Sequence, residues 1–513
     1  MGVVTNPAAR GLALAGTLIL VAACRPAEIP APRVLRVTLP SDLQTVDPHV
    51  SDTSGSFTVL GNVYQALVMT DPGLRRRPGL ALRWHNPDPL TWDFELDPAA
   101  RFHDGKPVLP ADVVFSLNRP LSEPGLDVRY YLGDVSHAEI SGPRSVRVRL
   151  KRRSPVLLHK LGHVFIVPAG SSRQSLERTP RGTGAYRIES WSPGLSLELV
   201  AAENGRLPPA PVERVALRVN VPPGETARRL LAGETDMGLL GLTRIAGTLS
   251  ASEFAQHRRI SLQMKYLAFD VGREVTPQVS GRNPFRDRRV RQAIHLGIDR
   301  QALVAGLPTD AMPANQLVPR HVFGFDAQLP ETRSDPERAR ALLREAGFAK
   351  GFAVTLHSRE ILGEAAQLLA AQLPALGIDV RLKVQADPEY FEDLESQASL
   401  WLDRWSCTTG DSGELFENAF HSPDRARGLG EFNESGFHDE SLDAAIEEAL
   451  LVEDLPRRRV ALAGLMQRIM TELAWIPLYT DGEVWAVRRS FEWKPRSDYW
   501  LQLAEVAPAG AVR

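Results

Sequence analysis

The chain has 513 residues, 43% hydrophobic and 24% charged, with 60 basic against 62 acidic side chains and a formal charge of -2. That balance excludes wholesale disorder and a polytopic membrane protein, and it asks for neither nucleic acid nor an anionic surface as partner. Length at about 150 residues per domain suggests roughly three domains, and two cysteines make neither a disulfide framework nor a cysteine-based zinc site.

Residues 1–23 read as a secretion signal. Arg10 is the only charge before an apolar run from Gly11 to Val21, and the small residues Ala22 and Ala23 lead into Cys24. The run is shorter than the about 20 residues a spanning helix needs. Val21-Ala22-Ala23-Cys24 resembles the bacterial lipobox, which implies a lipid on the Cys24 thiol; an ordinary signal peptide with a chance cysteine is the alternative. Residues 24–33, rich in Pro and Ala, read as a tether. No later apolar run reaches membrane-spanning length, so a soluble mature chain held to a membrane by its lipid is expected.

From residue 34 short β-like runs alternate with helical patterns, as in α/β or α+β proteins. Residues 34–39 predict a strand. Residues 56–69 carry Phe57, Leu60, Val63, Tyr64 and Leu67 at helical spacing and predict a helix. Residues 91–96 and 145–150 predict strands of a small sheet, and 213–221 and 261–270 predict further strands. One helix is predicted over 287–305, with Val290, Ala293, Ile294, Gly297 and Ile298 on one face. Residues 336–346 predict a helix opened by Asp335-Pro336 and stopped at Gly347. Strand 352–357, helix 364–373 and strand 379–385 form a unit that implies parallel pairing. Helices at 440–451 and 457–473 and late strands at 475–479 and 485–487 complete the series, with no internal repeat.

Several segments carry a resemblance when taken in order: Thr45-Val46-Asp47-Pro48-His49; Arg77-Pro78-Gly79-Leu80-Ala81 with Trp84; Phe102-His103-Asp104-Gly105-Lys106-Pro107 running into Ala111-Asp112-Val113-Val114-Phe115-Ser116; Gly182-Thr183-Gly184-Ala185-Tyr186; Leu231 to Asp236; Pro284 to Ala293 with Ile298-Asp299-Arg300; and Trp475-Ile476-Pro477-Leu478-Tyr479. Together they resemble the extracellular solute-binding proteins of ABC importers, in the oligopeptide/dipeptide/nickel-binding family. The resemblance implies an α/β fold of the type II periplasmic-binding-protein kind, two lobes joined by a hinge, with an additional domain on the N-terminal lobe. The expected division is 34–60, 183–283 and 476–513 for lobe I, 61–182 for the additional domain and 284–475 for lobe II. It also implies a monomer, a peptide or small polar ligand, a permease and its ATPase as partners, no nucleic acid, no cofactor and a periplasmic, lipid-anchored location.

Most of these motifs read as structure. His103-Asp104-Gly105 reads as a turn, with no partner at metal-ligand spacing. Gly182 and Gly184 lack the Lys-Ser/Thr of a phosphate loop and read as a tight crossover. Asp287, Arg288, Arg289 and Arg291 read as a solvated helix face, with permease docking as the alternative.

The informative stretch is 400–420. The family there reads "GWxxDYxDPxxFL" and lines the cleft, and its aspartate three residues after the Trp pairs with the peptide's α-ammonium group. Trp405 takes the place of that Trp, Thr408 stands where the Asp would be, and Asp411 keeps the second acidic position. A buried ammonium without a carboxylate is costly. Thr408 therefore argues against free-amino-terminus recognition, and the hydroxyls of 53–56 with Trp401 and Trp405 suit a neutral polar ligand, unless the Trp residues are core packing. Trp405, Thr408, Thr409 and Asp411 are the expected cleft residues, supported by Arg404, Cys407 and Ser56. Two other readings stand beside transport. One is a sensor or peptide-binding chaperone. The other is a hydrolase using Ser412 or Asp411, suggested by Gly410-Asp411-Ser412-Gly413 but lacking the other signatures of a triad.

Overall fold

The structure, a computed structural model, describes residues 34–510 except 52, 204–206, 241–246, 426 and 499, with the side chain of Ser54 not described. The expected signal, Cys24 and the tether lie outside the described residues. Val34–Thr38 is a strand because it alternates, burying Leu35 and Val37. It pairs in parallel with Arg214–Arg218 on one side and Met237–Leu239 on the other, inside an eleven-stranded sheet. Antiparallel Ser196–Ala201 and Tyr186–Ser192 extend the sheet to one edge. In the other direction the order passes through Trp475–Arg488, Phe254–Phe269, Leu400–Ser406 and Phe352–Arg359 to Ile378–Gln385.

Two unusually long strands carry the crossing between halves of this sheet. Phe254–Phe269 has 16 residues and Trp475–Arg488 has 14, and they pair antiparallel. The second contacts Met237–Leu239 through residues 485–487, whereas the first contacts Leu400–Ser406 through residues 263–269. Their register slips between Ile260 and Met264 and again after Lys265, which bends the ladder midway. Separate cores lie on the two sides. One gathers Leu35, Tyr64, Phe165 and Val215, another Phe285, Ile294, Leu356 and Leu369, and a third Phe416, Leu442, Leu462 and Trp475. Two lobes joined by a two-stranded hinge result.

The additional domain is a four-stranded antiparallel sheet in the order Ala81–Asp88, Thr91–Leu96, Ser145–Leu150, Val135–Gly142, with helix Pro110–Ser122 packed on it. Its Phe94, Leu117 and Val146 belong to the same core as Leu35, which attaches it to the first lobe. The parallel strand–helix–strand unit is also present: Phe352–Arg359 and Ile378–Gln385 pair in parallel around helix Gly363–Gln372.

Four expectations are corrected. The helix expected over 56–69 is only Ser54–Leu60, capped by the Thr53 hydroxyl, and Val68–Thr70 is a strand. The carbonyls of Asn62 and Val63 instead accept from the N–H groups of Tyr186 and Gly184, at 3.1 and 2.8 Å. A Cβ at Gly184 would sit 2.2 Å from the Asn62 oxygen and one at Gly182 would sit 1.8 Å from that of Val63. Those glycines exist for this close approach. Residues 287–305 form two helices, Arg288–Gly297 and Arg300–Gly306, because Ile298 is extended and the Asp299 carboxylate caps the second at Ala302 N–H (2.9 Å). The two late strands are one. Arg291 lies off the solvated face: it is buried and donates to the carbonyls of Phe285 and Glu472, closing the end of helix Leu455–Glu472.

Candidate ligand-binding cleft

Leu400–Ser406 leaves the sheet at Ser406, and the chain then turns tightly: Gly410 N–H donates to the Cys407 carbonyl and Gly410 adopts φ 71°. One helical turn, Gly413–Leu415, leads into a wider π-turn, Phe416–Phe420. Three acids project from this loop, and each is matched internally. Asp411 forms a two-pronged pair with buried Arg458, at 2.8 and 2.9 Å, and also accepts from Gly413 N–H. Glu414 accepts from the Thr408 hydroxyl (2.8 Å), the Thr409 hydroxyl (2.8 Å), Thr409 N–H (2.9 Å) and the Tyr130 hydroxyl (3.3 Å). Burial pushes its carboxyl up from the usual range, although the threonine donors favour the charged form. Glu417 pairs with Arg152 and, at 3.6 Å, with Lys160.

The expected site residues therefore divide. Trp405 is half-buried at the meeting of the lobes, edge-on to Phe432 (5.8 Å) and tilted on Trp475 (6.1 Å); Phe432 in turn meets Tyr130 of the additional domain. Thr408 and Thr409 line a water-sized recess with Leu74, His159, His163, Asp498 and Trp500. Their hydroxyl hydrogens are committed to Glu414, so toward the recess they offer acceptor lone pairs. Cys407 is buried, and that burial raises its thiol well above the ordinary value. Arg404 is half-buried beside Asp403, which burial also raises. Ser56 is buried in a hydroxyl cluster with Ser51 and Thr53, inside the first lobe. Trp401 is core. The Ser412 hydroxyl is fully buried and has no hydrogen-bond partner among the described residues, so none of them stands as a base beside it and its burial shields it from a substrate. Among the described residues no cluster of His, Cys, Asp and Glu is placed to hold a metal ion.

Beside this loop a cavity of about 1270 Å³ opens between the additional domain and the second lobe. Asp127, Arg129, Lys151, Arg152 and Lys160 line one wall; Glu395, Glu417, Arg425, Glu431 and Glu434 line the other. Arg152, Lys160 and Glu417 are spent on one another and on Asp134. Arg129, Arg425, Asp127, Glu395 and Glu431 have no ion-pair partner among the described residues. Burial pushes the Glu434 carboxyl up to about 8, with the charges of Asp403 and Glu395 adding to the effect. The cavity thus offers unmatched charges of both signs, the disposition that receives a charged polar solute. Sequence reasoning missed this wall. A signal existed: the chain has seven lysines, and two of them, Lys151 beside Arg152 and Lys160, fall close together in the sequence and line this cavity.

The sequence profile of the bacterial extracellular solute-binding proteins, family 5 (middle region), matches residues 75–427. The glutathione-binding protein GsiB of Salmonella typhi is 26% identical over 467 residues, covering 87% of this chain and 88% of that protein. Among solved structures, the ABC transporter-associated periplasmic binding protein DppA of Helicobacter pylori, in complex with the peptide STSA, has a TM-score of 0.78 at 20% identity. That match covers 93% of this chain and 98% of DppA. NikZ of Campylobacter jejuni, in complex with Ni(L-His), has a TM-score of 0.76 at 20% identity, covering 93% of this chain and 100% of NikZ. These structures share the hinged α/β fold.

Proposed function

The chain belongs to the bacterial extracellular solute-binding proteins of family 5, the solute-capturing components of ABC importers, and on that premise we propose that it binds a short peptide or peptide-like solute bearing charges of both signs. One observation carries this reading: the cavity between the additional domain and the second lobe, with Arg129 and Arg425 on its walls without an ion-pair partner among the described residues and Glu395 and Glu431 facing the same space. Arg129 and Arg425 suit a carboxylate, and Glu395 with Glu431 suits an ammonium or guanidinium group, while Glu434, which keeps its proton up to about 8, offers a neutral carboxyl beside them. Trp405, Thr408 and Thr409 form the end of the cleft nearest the hinge, while Asp411, Cys407, Arg404 and Ser56 support that end from behind. A neutral glycan is disfavoured by the number of charges it would leave unmatched.

The protein performs no chemistry on its solute in this reading. Closure about the hinge excludes water and strengthens the polar contacts, a population shift toward the form that binds better. The lobe limits are those drawn from the sequence, 34–60 with 183–283 and 476–513, 61–182, and 284–475, with the crossing carried by Phe254–Phe269 and Trp475–Arg488. Residues 1–23 act as a signal, Cys24 carries the lipid, and the mature monomer stands outside the cytoplasmic membrane ready to deliver solute to a permease.

The test is a melting curve with glutathione as first probe, since it carries an ammonium and carboxylates on a short peptide, followed by a set of short charged peptides. A true ligand present at about 100 times its Kd stabilises by about 2.7 kcal/mol and raises Tm saturably. No rise with any charged peptide would count against this reading.

A further inference from the structure

Four charges meet where the additional domain faces the second lobe. Asp134, Arg152 and Lys160 stand on the additional domain, and Glu417 comes from the π-turn of the opposite lobe. Lys160 Nζ lies 2.8 Å from Asp134 Oδ2 and 3.6 Å from Glu417 Oε2; Arg152 reaches Asp134 Oδ1 at 2.6 Å and bonds Glu417 Oε1. Lys160 is 6% exposed, Glu417 4% and Asp134 2%. Although burial opposes it, Lys160 and Arg152 hold the Asp134 carboxyl below the usual range.

Without Glu417 the three groups of the additional domain carry one positive charge in excess. With Glu417 the ring is neutral, and each carboxylate touches both cations. Two further contacts cross the same seam: the Tyr130 hydroxyl donates to Glu414, and the Tyr130 ring meets Phe432 edge-on at 6.1 Å.

We propose that Glu417 is a built-in latch, docking on the Arg152–Lys160 pair to hold the cleft closed before solute arrives. The latch rests on the hinged two-lobe reading. It adds that the ligand-free protein populates the closed form and that solute affinity depends on how often Glu417 is docked. Apparent Kd equals intrinsic Kd divided by the closed fraction, so a tenfold loss of that fraction weakens binding tenfold. An unmatched buried charge is costly, so removing Glu417 favours the open form, where water solvates the remaining cation.

The experiment is small-angle X-ray scattering of the solute-free mature protein, comparing wild type, Glu417→Gln and Ser154→Ala. The last removes the 2.7 Å hydrogen bond to Asp134 inside the additional domain and leaves the crossing pairs intact. Expected are a compact wild type, an expanded Glu417→Gln and a Ser154→Ala like wild type. Equal radii of gyration for wild type and Glu417→Gln, or equal expansion in Ser154→Ala, would overturn the latch. If Glu417→Gln does not fold, Glu417→Asp, one methylene shorter, is read by the same outcomes. No solute is added, so failure here leaves the solute-capture reading standing, and failure to find a solute leaves this result standing.

Discussion

The loop Cys407–Phe420 and the cavity wall beside it are both rich in charge, yet they use it in opposite ways. Along the loop every acid is matched within the protein: Asp411 by Arg458, Glu414 by two threonines and Tyr130, Glu417 by Arg152 and Lys160. On the cavity wall Arg129, Arg425, Glu395 and Glu431 are exposed and have no ion-pair partner among the described residues. Paired buried charges hold a conformation in place, whereas unmatched charges around a cavity await a partner from outside. The loop is therefore the frame and the cavity the receiver.

The largest way to break this contrast is to unpair the loop. Asp411→Ala leaves the Arg458 guanidinium buried without its carboxylate and is expected to cost about 3–5 kcal/mol in urea melts. A loss under about 1 kcal/mol would mean that the pair is solvated and the loop is not a frame.

Titration sharpens the contrast with opposite signs on the two sides. His159, beneath the loop, is held to about 4 by burial and by the nearby Arg76 charge, and buried His49 to about 4 by burial. The unfolded chain takes up these protons first. Their contribution is thus fully present above about 6.5 and is lost as pH falls toward 4. Glu434 runs the other way: the folded form keeps its proton up to about 8, so stability declines as pH rises from about 4.5 through 8. Tm against pH should fall on the acid side in wild type, and Glu434→Gln should flatten the alkaline decline. An unchanged alkaline limb would remove Glu434 from the account.

Tyr130→Phe removes one of the four donors to Glu414 and should cost about 1 kcal/mol by chemical denaturation. Arg129→Ala and Arg425→Ala should each change stability by less than about 0.5 kcal/mol, since neither has an ion-pair partner among the described residues. Loss of more than about 2 kcal/mol in either would show that the wall is structural. Smallest of all, Cys407 should resist a thiol reagent in the folded protein and react fully on unfolding, because burial raises its thiol.

The sequence displayed the local parts of this molecule well. The parallel unit of residues 352–385 was legible because strand and helix periods alternate cleanly there, and Trp405 to Asp411 stood out through the family motif. The break at Asp299 was harder, because apolar spacing continues across it while an N-cap interrupts the backbone. Residues 56–69 misled for a related reason: Phe57, Val63 and Tyr64 are buried on all sides, so helical spacing carried no information about backbone shape. The cavity wall was hidden for a different cause. Arg129 and Lys151 come from the additional domain and Glu395 and Glu434 from the second lobe, and only the hinge brings them to one space.

The most direct measurement is to denature the purified protein, identify by mass spectrometry any small molecule released, and titrate it calorimetrically into refolded wild type and Arg129→Ala. The account expects a peptide-like solute with charges of both signs, bound one to one, its Kd raised about tenfold, roughly 1.4 kcal/mol, in the variant. A neutral solute that binds wild type and Arg129→Ala equally would contradict it.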